Sequence, residues 1–230
     1  MIGLILAAAL LAQQAPAGLS AEAKTLVAPV AEAIAAEKAR QAALPPPTTD
    51  RERLERMGAL DQVGRRAFTV LDFSALPADE RQTAETLAWA DINAVDKALL
   101  DELLTMVPAE GWFKKSVYGE RAAGAAFLII QHSDLENWRR FVPVLEALVA
   151  QGEVEGQSYG LMYDRLAINE GRPQRYGTQM TCKNGRWVVD TLEDPERVEQ
   201  WRREMKFPWT LAGYEARFRD YPPCTQQSQP

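Results

Sequence analysis

The sequence contains a clear signal for β-structure at one place only, a hairpin turn. The rest of the chain is therefore expected to form mainly helices. Residues 183–185, Lys-Asn-Gly, stand between two short extended runs, and Asn-Gly in that setting is typical of a two-residue hairpin turn. Most of the remaining apolar residues recur at the three- and four-residue intervals of amphipathic helices. The sequence therefore predicts a mainly α fold, a single helical domain with one small antiparallel β-hairpin at about residues 175–190.

Start and stop signals divide the helical part. Ser20 is suited to begin a helix rich in alanine, and the three prolines at 45–47 end it. We expect residues 18–47 to form a helical arm and linker, separable from a compact domain over residues 48–221. Within that domain, further helices are predicted at about 50–71, 79–107, 122–130, 157–170, 194–205 and 211–218, and one more after Asp134.

The N-terminal segment predicts export. Residues 1–12 are an apolar run followed by small residues at 15–17, a pattern typical of a signal peptide over residues 1–17. No Lys or Arg precedes the run, so the alternative is the apolar start of a first helix. The run is too short for a transmembrane segment. We expect a periplasmic or secreted protein whose polar tail, residues 222–230, is disordered.

Two cysteines are open to two interpretations. In an oxidising compartment Cys182 and Cys224 can form a disulfide that ties the tail to the hairpin. The alternative is two unpaired thiols, because spacing alone does not establish the geometry.

Charge and motifs exclude several functions. The net charge is -6, with the basic residues spread along the chain, so we expect no nucleic-acid partner. No glycine-rich phosphate loop, nucleophile elbow or paired-cysteine motif is present, which disfavours nucleotide hydrolysis, serine hydrolysis and thiol redox chemistry. No cofactor is predicted.

Several short motifs carry a family resemblance. They are Gly111-Trp112, residues 131–134 (Gln-His-Ser-Asp), Asp164-Arg165 and residues 170–179 (Glu-Gly-Arg-Pro-Gln-Arg-Tyr-Gly-Thr-Gln). Together they resemble an uncharacterised bacterial family, a domain of unknown function, over about residues 54–214. Asp61-Gln62 and Asn93 also look like family positions. The resemblance implies a shared fold and a shared polar cluster, and it brings no established activity.

His132 is the only histidine and the first candidate for chemistry. It follows a helix that is apolar on every side, where the helix dipole favours a protonated imidazole suited to general acid or base catalysis. A single histidine does not make the usual zinc site, so no metal is predicted. The alternative is a core histidine bonded to a carboxylate or carbonyl.

Charged residues near the hairpin form a second set of candidates. Asp164 and Arg165 either face a polar site or form an ion pair that braces helix to hairpin. Glu170, at the helix end before the hairpin, looks like the acid glutamate of lysozyme-like glycan hydrolases, an analogy of layout only.

Amide and aromatic side chains complete the candidate site. Gln174 and Tyr176 are predicted on one face of the first strand and Gln179 on the other, unless a bulge at Gly177 redirects it. These groups either bind a ligand or pair with the backbone. Gln62 and Trp112 are added as binding candidates, and Trp112 packs inside if the domain folds over its loop.

We expect the residues from 164 to 179 to gather around His132 in one polar cluster. The favoured function is an exported binding or interaction domain with a polar pocket for a small molecule, glycan or protein. The alternatives are a hydrolase of cell-wall glycan using Glu170 or His132, and a purely structural cluster.

Overall fold

The computed structural model describes residues 18–221 and residue 224. It contains α1 (Ala21–Ala42), α2 (Asp50–Phe68), α3 (Ala78–Met106), α4 (Lys115–Tyr118), α5 (Glu120–Gln131), α6 (Leu135–Val149), α7 (Gly156–Asn169), β1 (Met180–Lys183), β2 (Arg186–Val189), α8 (Val198–Glu204) and α9 (Leu211–Ala216). The described part is thus mainly α with one two-stranded antiparallel hairpin, as predicted. The expected signal peptide and, apart from residue 224, the expected disordered tail lie outside the described residues.

Side-chain caps begin several helices where the sequence places suitable residues. Ser20 accepts a hydrogen bond from the N–H of Ala23, and Thr49 accepts one from the N–H of Glu52. Asp134 does the same for Asn137 at the start of α6. Each cap satisfies a backbone donor that has no partner inside its helix, so these polar residues determine where the helices start.

The helices pack around α2, which contacts α1, α3 and α5, while α6 packs against α7. On α1, Ala23, Val27, Val30 and Ile34 form one buried stripe. Residues 18–47, which we expected to be a separable arm, therefore contribute a helix to the hydrophobic core. That stripe explains the difference, because a helix with four buried apolar residues gains too much by packing to stay detached.

The hairpin is shorter than predicted on its first strand. Met180 pairs with Val189 and Lys183 with Arg186, and the turn residues Asn184 and Gly185 have φ angles of 54° and 76°, as the expected type of turn requires. Residues 175–179 precede β1 and form no strand. Alternation along a strand therefore does not decide where their side chains point.

A disulfide closes the C-terminal part of the fold. Cys182 on β1 is bonded to Cys224, whose N–H donates to the carbonyl of Gly185 in the turn. Of the two interpretations of the cysteines, the structure contains the paired one. Among the described residues, no helix is both long enough and apolar enough to cross a bilayer.

Candidate functional site

His132 lies at the C-terminal end of α5 and is bonded to a carboxylate of α2. Its Nδ1 is 2.9 Å from Oδ1 of Asp61, a buried residue. Its Nε2 accepts a hydrogen bond from Nε of Arg65 at 3.3 Å. These partners assign the imidazole proton to Nδ1, so Asp61 orients the ring and Nε2 carries the lone pair.

The close approach of α2 and α5 makes this contact possible. A Cβ added to Gly58 on α2 would lie 2.6 Å from Cβ of Ala125 on α5, so glycine is required for the two helices to meet at this distance. Asp61 follows Gly58 by one turn of α2. Glycine at 58 thereby brings the Asp61 carboxylate within reach of the end of α5.

The protonation of Asp61 reflects opposing effects. Burial raises its pKa, but hydrogen bonds from His132 and from the side-chain amide of Gln62, 2.6 Å away, and the charge of Arg65 hold the pKa of this carboxyl below its usual value. Asp61 is therefore ionised at neutral pH. Gln62, predicted as a binding residue, contacts Asp61 and helps to position it.

Arg65 links His132 to a second carboxylate. Its Nη2 donates to Oδ2 of Asp96 at 2.8 Å, and both side chains are largely buried. Burial raises the pKa of Asp96 to about 6, the charge of Arg65 opposes this, and the charge of Asp61 adds to it. Within the described residues, Nη1 of Arg65 and Oδ1 of Asp96 are buried without hydrogen-bond partners. Such buried unpaired groups are costly.

Asp61, Asp96 and His132 each offer one possible metal-ligand atom, and these atoms lie within 4.8 Å of one another. Arg65, however, already holds Nε2 of His132 and one oxygen of Asp96. A cation could bind all three residues only after the guanidinium had moved away. In this structure the group is an ion-pair network, which we call the His132 network: Asp61, Arg65, Asp96 and His132.

The His132 network faces a cleft with a volume of about 360 Å³. Its lining combines basic, acidic and amide side chains with two tryptophans and a few apolar residues. The residues that line it are Arg65, Trp89, Asn93, Asp96, Gln131, His132, Ser133, Trp138, Arg165, Ile168, Asn169, Gln179, Met180 and Asp190. Three predicted site residues, His132, Arg165 and Gln179, are therefore brought together.

Arg165 is the cation of the cleft that has no acidic partner in residues 18–221. Its Nη1 donates to the carbonyl of Gln131 at 3.0 Å, and its guanidinium lies over the ring of Trp138. Among the residues that the structure describes, it forms no salt bridge with any carboxylate. Burial lowers the pKa of Arg165, Tyr214 opposes this, and the charge of the nearby Arg65 adds to it.

Asp164, by contrast, belongs to a sealed cluster beneath residues 175–178. Its fully buried carboxylate accepts hydrogen bonds from the N–H groups of Arg175, Tyr176 and Thr178 and from the Thr178 hydroxyl. Burial raises its pKa and these hydrogen bonds oppose the rise. They also explain the short first strand, because the backbone donors of residues 175, 176 and 178 bind this carboxylate instead of a neighbouring strand.

Gln174 and Tyr176 are buried in the same region. The Gln174 side chain donates to the carbonyls of Gln179 and Asp190 and accepts from the N–H of Gln179. The ring of Tyr176 stacks on Phe207, and its carbonyl accepts from the buried Arg202. Both side chains thus serve packing and backbone pairing, and neither lines the cleft that holds His132.

Two further predicted residues lie outside the cleft. Glu170 pairs with Arg139 at 2.6 Å and with Arg172 at 2.6 Å, and hydrogen bonds from these two residues lower its pKa. Trp112 is buried in the core, edge-on to Phe141. Neither residue reaches His132. The predicted single cluster is therefore divided: three of its residues line the cleft (His132, Arg165 and Gln179), three are buried outside it (Asp164, Gln174 and Tyr176), and Glu170 lies with Arg139 and Arg172.

Arg65 and Asp96 were not among the residues proposed from the sequence. Asp61 and Arg65 stand four residues apart, as neighbours on one helix face do. On α3, Asp96 follows the buried Ile92 by four residues, which places a carboxylate on the inward face of a helix. A charged residue at such a position was the available signal.

The described fold is a helical domain with one hairpin and a cleft. Arg65, Arg165 and His132 line that cleft. The chain matches the family of unknown function DUF6624 over residues 48–220, and it belongs to that family. No curated protein and no solved structure matches the chain.

Proposed function

We propose that this protein is an exported binding protein whose His132 cleft holds a small molecule with an anionic group. The observation that carries the proposal is Arg165, a partly buried guanidinium on the cleft wall without a carboxylate partner among the described residues. A buried charge is costly unless it is paired. A carboxylate or phosphate group on a ligand would supply the missing charge.

Arg65 strengthens the preference for an anion. It lies close enough to Arg165 to lower the pKa of that residue, and its own Nη1 has no hydrogen-bond partner within the described part of the chain. Hydrogen bonds between guanidinium groups and oxyanions are among the strongest in proteins, each contributing about 1.5–3 kcal/mol. Asp96 and Asp190 also line the cleft, so a ligand with hydrogen-bond donors besides its anion is favoured.

The remaining walls suit a small organic molecule. Amide side chains at Asn93 and Gln179 can direct hydrogen bonds, and Trp89 and Trp138 offer aromatic surface. A volume of about 360 Å³ lies in the range of small-molecule sites, which combine apolar walls with a few convergent polar groups.

Export is supported by two observations. The apolar run at residues 1–12 is typical of a signal peptide. The Cys182–Cys224 disulfide is a bond that persists in oxidising compartments and is rare in the cytosol.

Thermal unfolding with a ligand panel tests the binding proposal. We expect phosphate, succinate or citrate to raise the melting temperature and neutral N-acetylglucosamine to leave it unchanged, at constant ionic strength. A ligand at one hundred times its Kd adds about 2.7 kcal/mol of stability. Arg165→Gln should abolish the rise and Arg165→Lys should retain part of it. The matched control Arg139→Gln alters an exposed arginine outside the cleft and should behave like the wild type. No stabilisation by any anion, or equal stabilisation of Arg165→Gln, contradicts the proposal and leaves a structural role for the cluster.

Hydrolysis of cell-wall glycan is the second candidate. The observation that favours it is Asp96, a carboxyl group in the cleft with a pKa of about 6. A general acid requires such a raised pKa, and the oriented His132 lies beside it. Glu170 has a lowered pKa and pairs with two arginines, which is the opposite of that requirement. Incubation with peptidoglycan tests the idea: turnover should be lost in Asp96→Asn and His132→Gln and kept in Glu170→Gln. Absence of turnover by the wild type rejects it.

A further inference from the structure

A second cavity adjoins the His132 cleft and has a different character. It has a volume of about 540 Å³, and most of its walls are apolar. Five residues that form much of its floor and sides are Gly58, Gly124, Ala125, Leu128 and Leu161. We call this cavity the apolar trough.

Two helices lead from the trough into the cleft. On α5, Gly124, Leu128 and Gln131 follow one another at intervals of four and three residues, so they share a face. All three line the trough, and Gln131 also lines the cleft. Gly124 and Gln131 lie about two turns apart, or about 10 Å along the helix axis.

The facing wall, on α7, shows the same order. Leu161 lines the trough, and Arg165, one turn later on the same face, lines the cleft. The side chain of Gln179, another cleft residue, donates to the carbonyl of Leu161. Apolar surface therefore gives way to a cation on α7 and to the amide of Gln131 on α5.

Gln131 stands at the junction of the two cavities. Its carbonyl accepts a hydrogen bond from Arg165, and no hydrogen bond joins its side-chain amide to any described residue. The side chain is only partly buried. The side chain can therefore turn aside without breaking a hydrogen bond, and such a movement would widen the connection between trough and cleft.

Charge orients an occupant of the trough. Three acidic and two basic residues line the rim of the trough at the end away from the cleft. They are Glu120, Glu153, Glu155, Lys115 and Arg121. Lys115 is already paired with Glu155. An anionic group is disfavoured at this acidic rim and favoured at the other end, beside Arg165.

We infer that the ligand is a single-chain amphiphile, with its anionic head in the His132 cleft beside Arg165 and its alkyl tail in the apolar trough between α5 and α7. The inference rests on the proposed function for its head group and adds the tail. It assigns the trough to the ligand of this protein, and not to a partner protein or to a second, unrelated molecule.

A chain-length series tests the inference on the purified full-length protein. Kd is measured by calorimetry for acetate, hexanoate and decanoate, with decanol as the neutral control, below the concentrations at which they self-associate. Each buried methylene should tighten Kd by about fourfold, which is about 0.8 kcal/mol. Decanoate has four more methylenes than hexanoate, so it should bind about 250-fold more tightly if all four are buried. Decanol should bind more weakly than decanoate. Octyl phosphate distinguishes a phosphate from a carboxylate head.

Gly124 permits a matched pair of variants. A Cβ at this position meets nothing within 4 Å, so Gly124→Leu should fill the trough while Gly124→Ala leaves most of it open. We expect Gly124→Leu to bind acetate normally and to lose the gain from chain length, and Gly124→Ala to keep that gain. Ser158→Leu fills the trough from α7 and replaces Gly124→Leu if the latter does not fold.

The outcomes separate the two proposals. If acetate and phosphate bind through Arg165 but Kd does not change with chain length, the inference fails and the proposed function stands. If decanoate and decanol bind equally and Arg165→Gln has no effect on either, both fail. A length dependence that survives in both filling variants also overturns the inference, because the tail is then bound elsewhere.

Discussion

Two buried carboxylates of this protein, Asp164 and Asp96, differ in what surrounds them. Asp164 accepts hydrogen bonds from three backbone N–H groups and a hydroxyl and has no contact with solvent. Asp96 pairs through one oxygen with Arg65, and its other oxygen has no partner within the described residues. The first arrangement is complete and stabilises a loop, whereas the second has unpaired groups at the wall of a cleft.

The difference separates structural from functional polar residues. A carboxylate whose acceptor positions are filled by the protein gains nothing from a ligand. Within the part of the chain that the structure describes, the His132 network still has an unpaired donor on Arg65 and an unpaired acceptor on Asp96, and Arg165 next to it has no acidic partner. Unfilled hydrogen-bonding capacity therefore indicates the site better than the number of charged residues does.

The largest effect is expected from Asp164→Ala. The substitution leaves the N–H groups of Arg175, Tyr176 and Thr178 without their acceptor, and each buried unsatisfied donor costs about 1–3 kcal/mol. The free energy of unfolding, measured with urea, should fall by about 3–5 kcal/mol. Asp101→Ala, at an exposed pair with Lys97, is the control and should change it by no more than about 0.5 kcal/mol. A loss below about 1 kcal/mol for Asp164→Ala would remove the distinction between the two carboxylates.

An intermediate effect is expected from Gly58→Ala. Its Cβ would lie 2.6 Å from that of Ala125, and forcing two packed helices apart costs about 1–3 kcal/mol. The same shift moves Asp61 away from His132, so anion binding should weaken as well. Gly124→Ala is the matched control because it adds a methyl group in open space on α5 and should raise stability by about 0.5–1 kcal/mol. If Gly58→Ala and Gly124→Ala change stability equally, Gly58 does not set the distance between α2 and α5.

The smallest effect is a dependence of stability on pH that arises from Asp96. Its pKa is about 6 in the folded protein, above the ordinary value of 3.8 for an unperturbed aspartate. Between those pH values the folded state therefore binds more protons than the unfolded state. The contribution of Asp96 to stability therefore falls as pH rises from about 4 to 6 and is constant above. In Asp96→Asn that fall is absent. As pH rises across this range, the free energy of unfolding of the variant should therefore gain about 1 kcal/mol relative to that of the wild type. Unfolding at pH 4, 5, 6 and 7 measures it, and parallel curves for the two proteins would contradict a raised pKa.

Local signals in the sequence predicted much of the fold. Asn184-Gly185 located the hairpin turn, Ser20 and Asp134 located helix starts, and the apolar period identified most helices. These features depend on residues close together in sequence. The packing of α1 against the domain was not predicted, because the prolines at 45–47 indicated a domain boundary. The apolar stripe of α1 nevertheless packs into the core.

The site was harder to predict because its contacts span long distances in the chain. His132 was identified as the first candidate, but its partner Asp61 lies 71 residues away, and nothing local indicates the pairing. Asp164 stood in a polar motif and was assigned to the same cluster. Its role as a backbone acceptor depends on how residues 175–178 turn around it, and that turn has no period-2 or helical pattern.

Anion binding in the cleft beside His132 can be tested directly, because His132 is the only histidine. Its imidazole resonances in NMR spectra report on the cleft without any assignment problem. We predict that titration with succinate or decanoate shifts these resonances saturably in the wild type and in Arg139→Gln, and not in Arg165→Gln. Resonances that do not move, or that move equally in Arg165→Gln, would show that the cleft beside His132 is not an anion site.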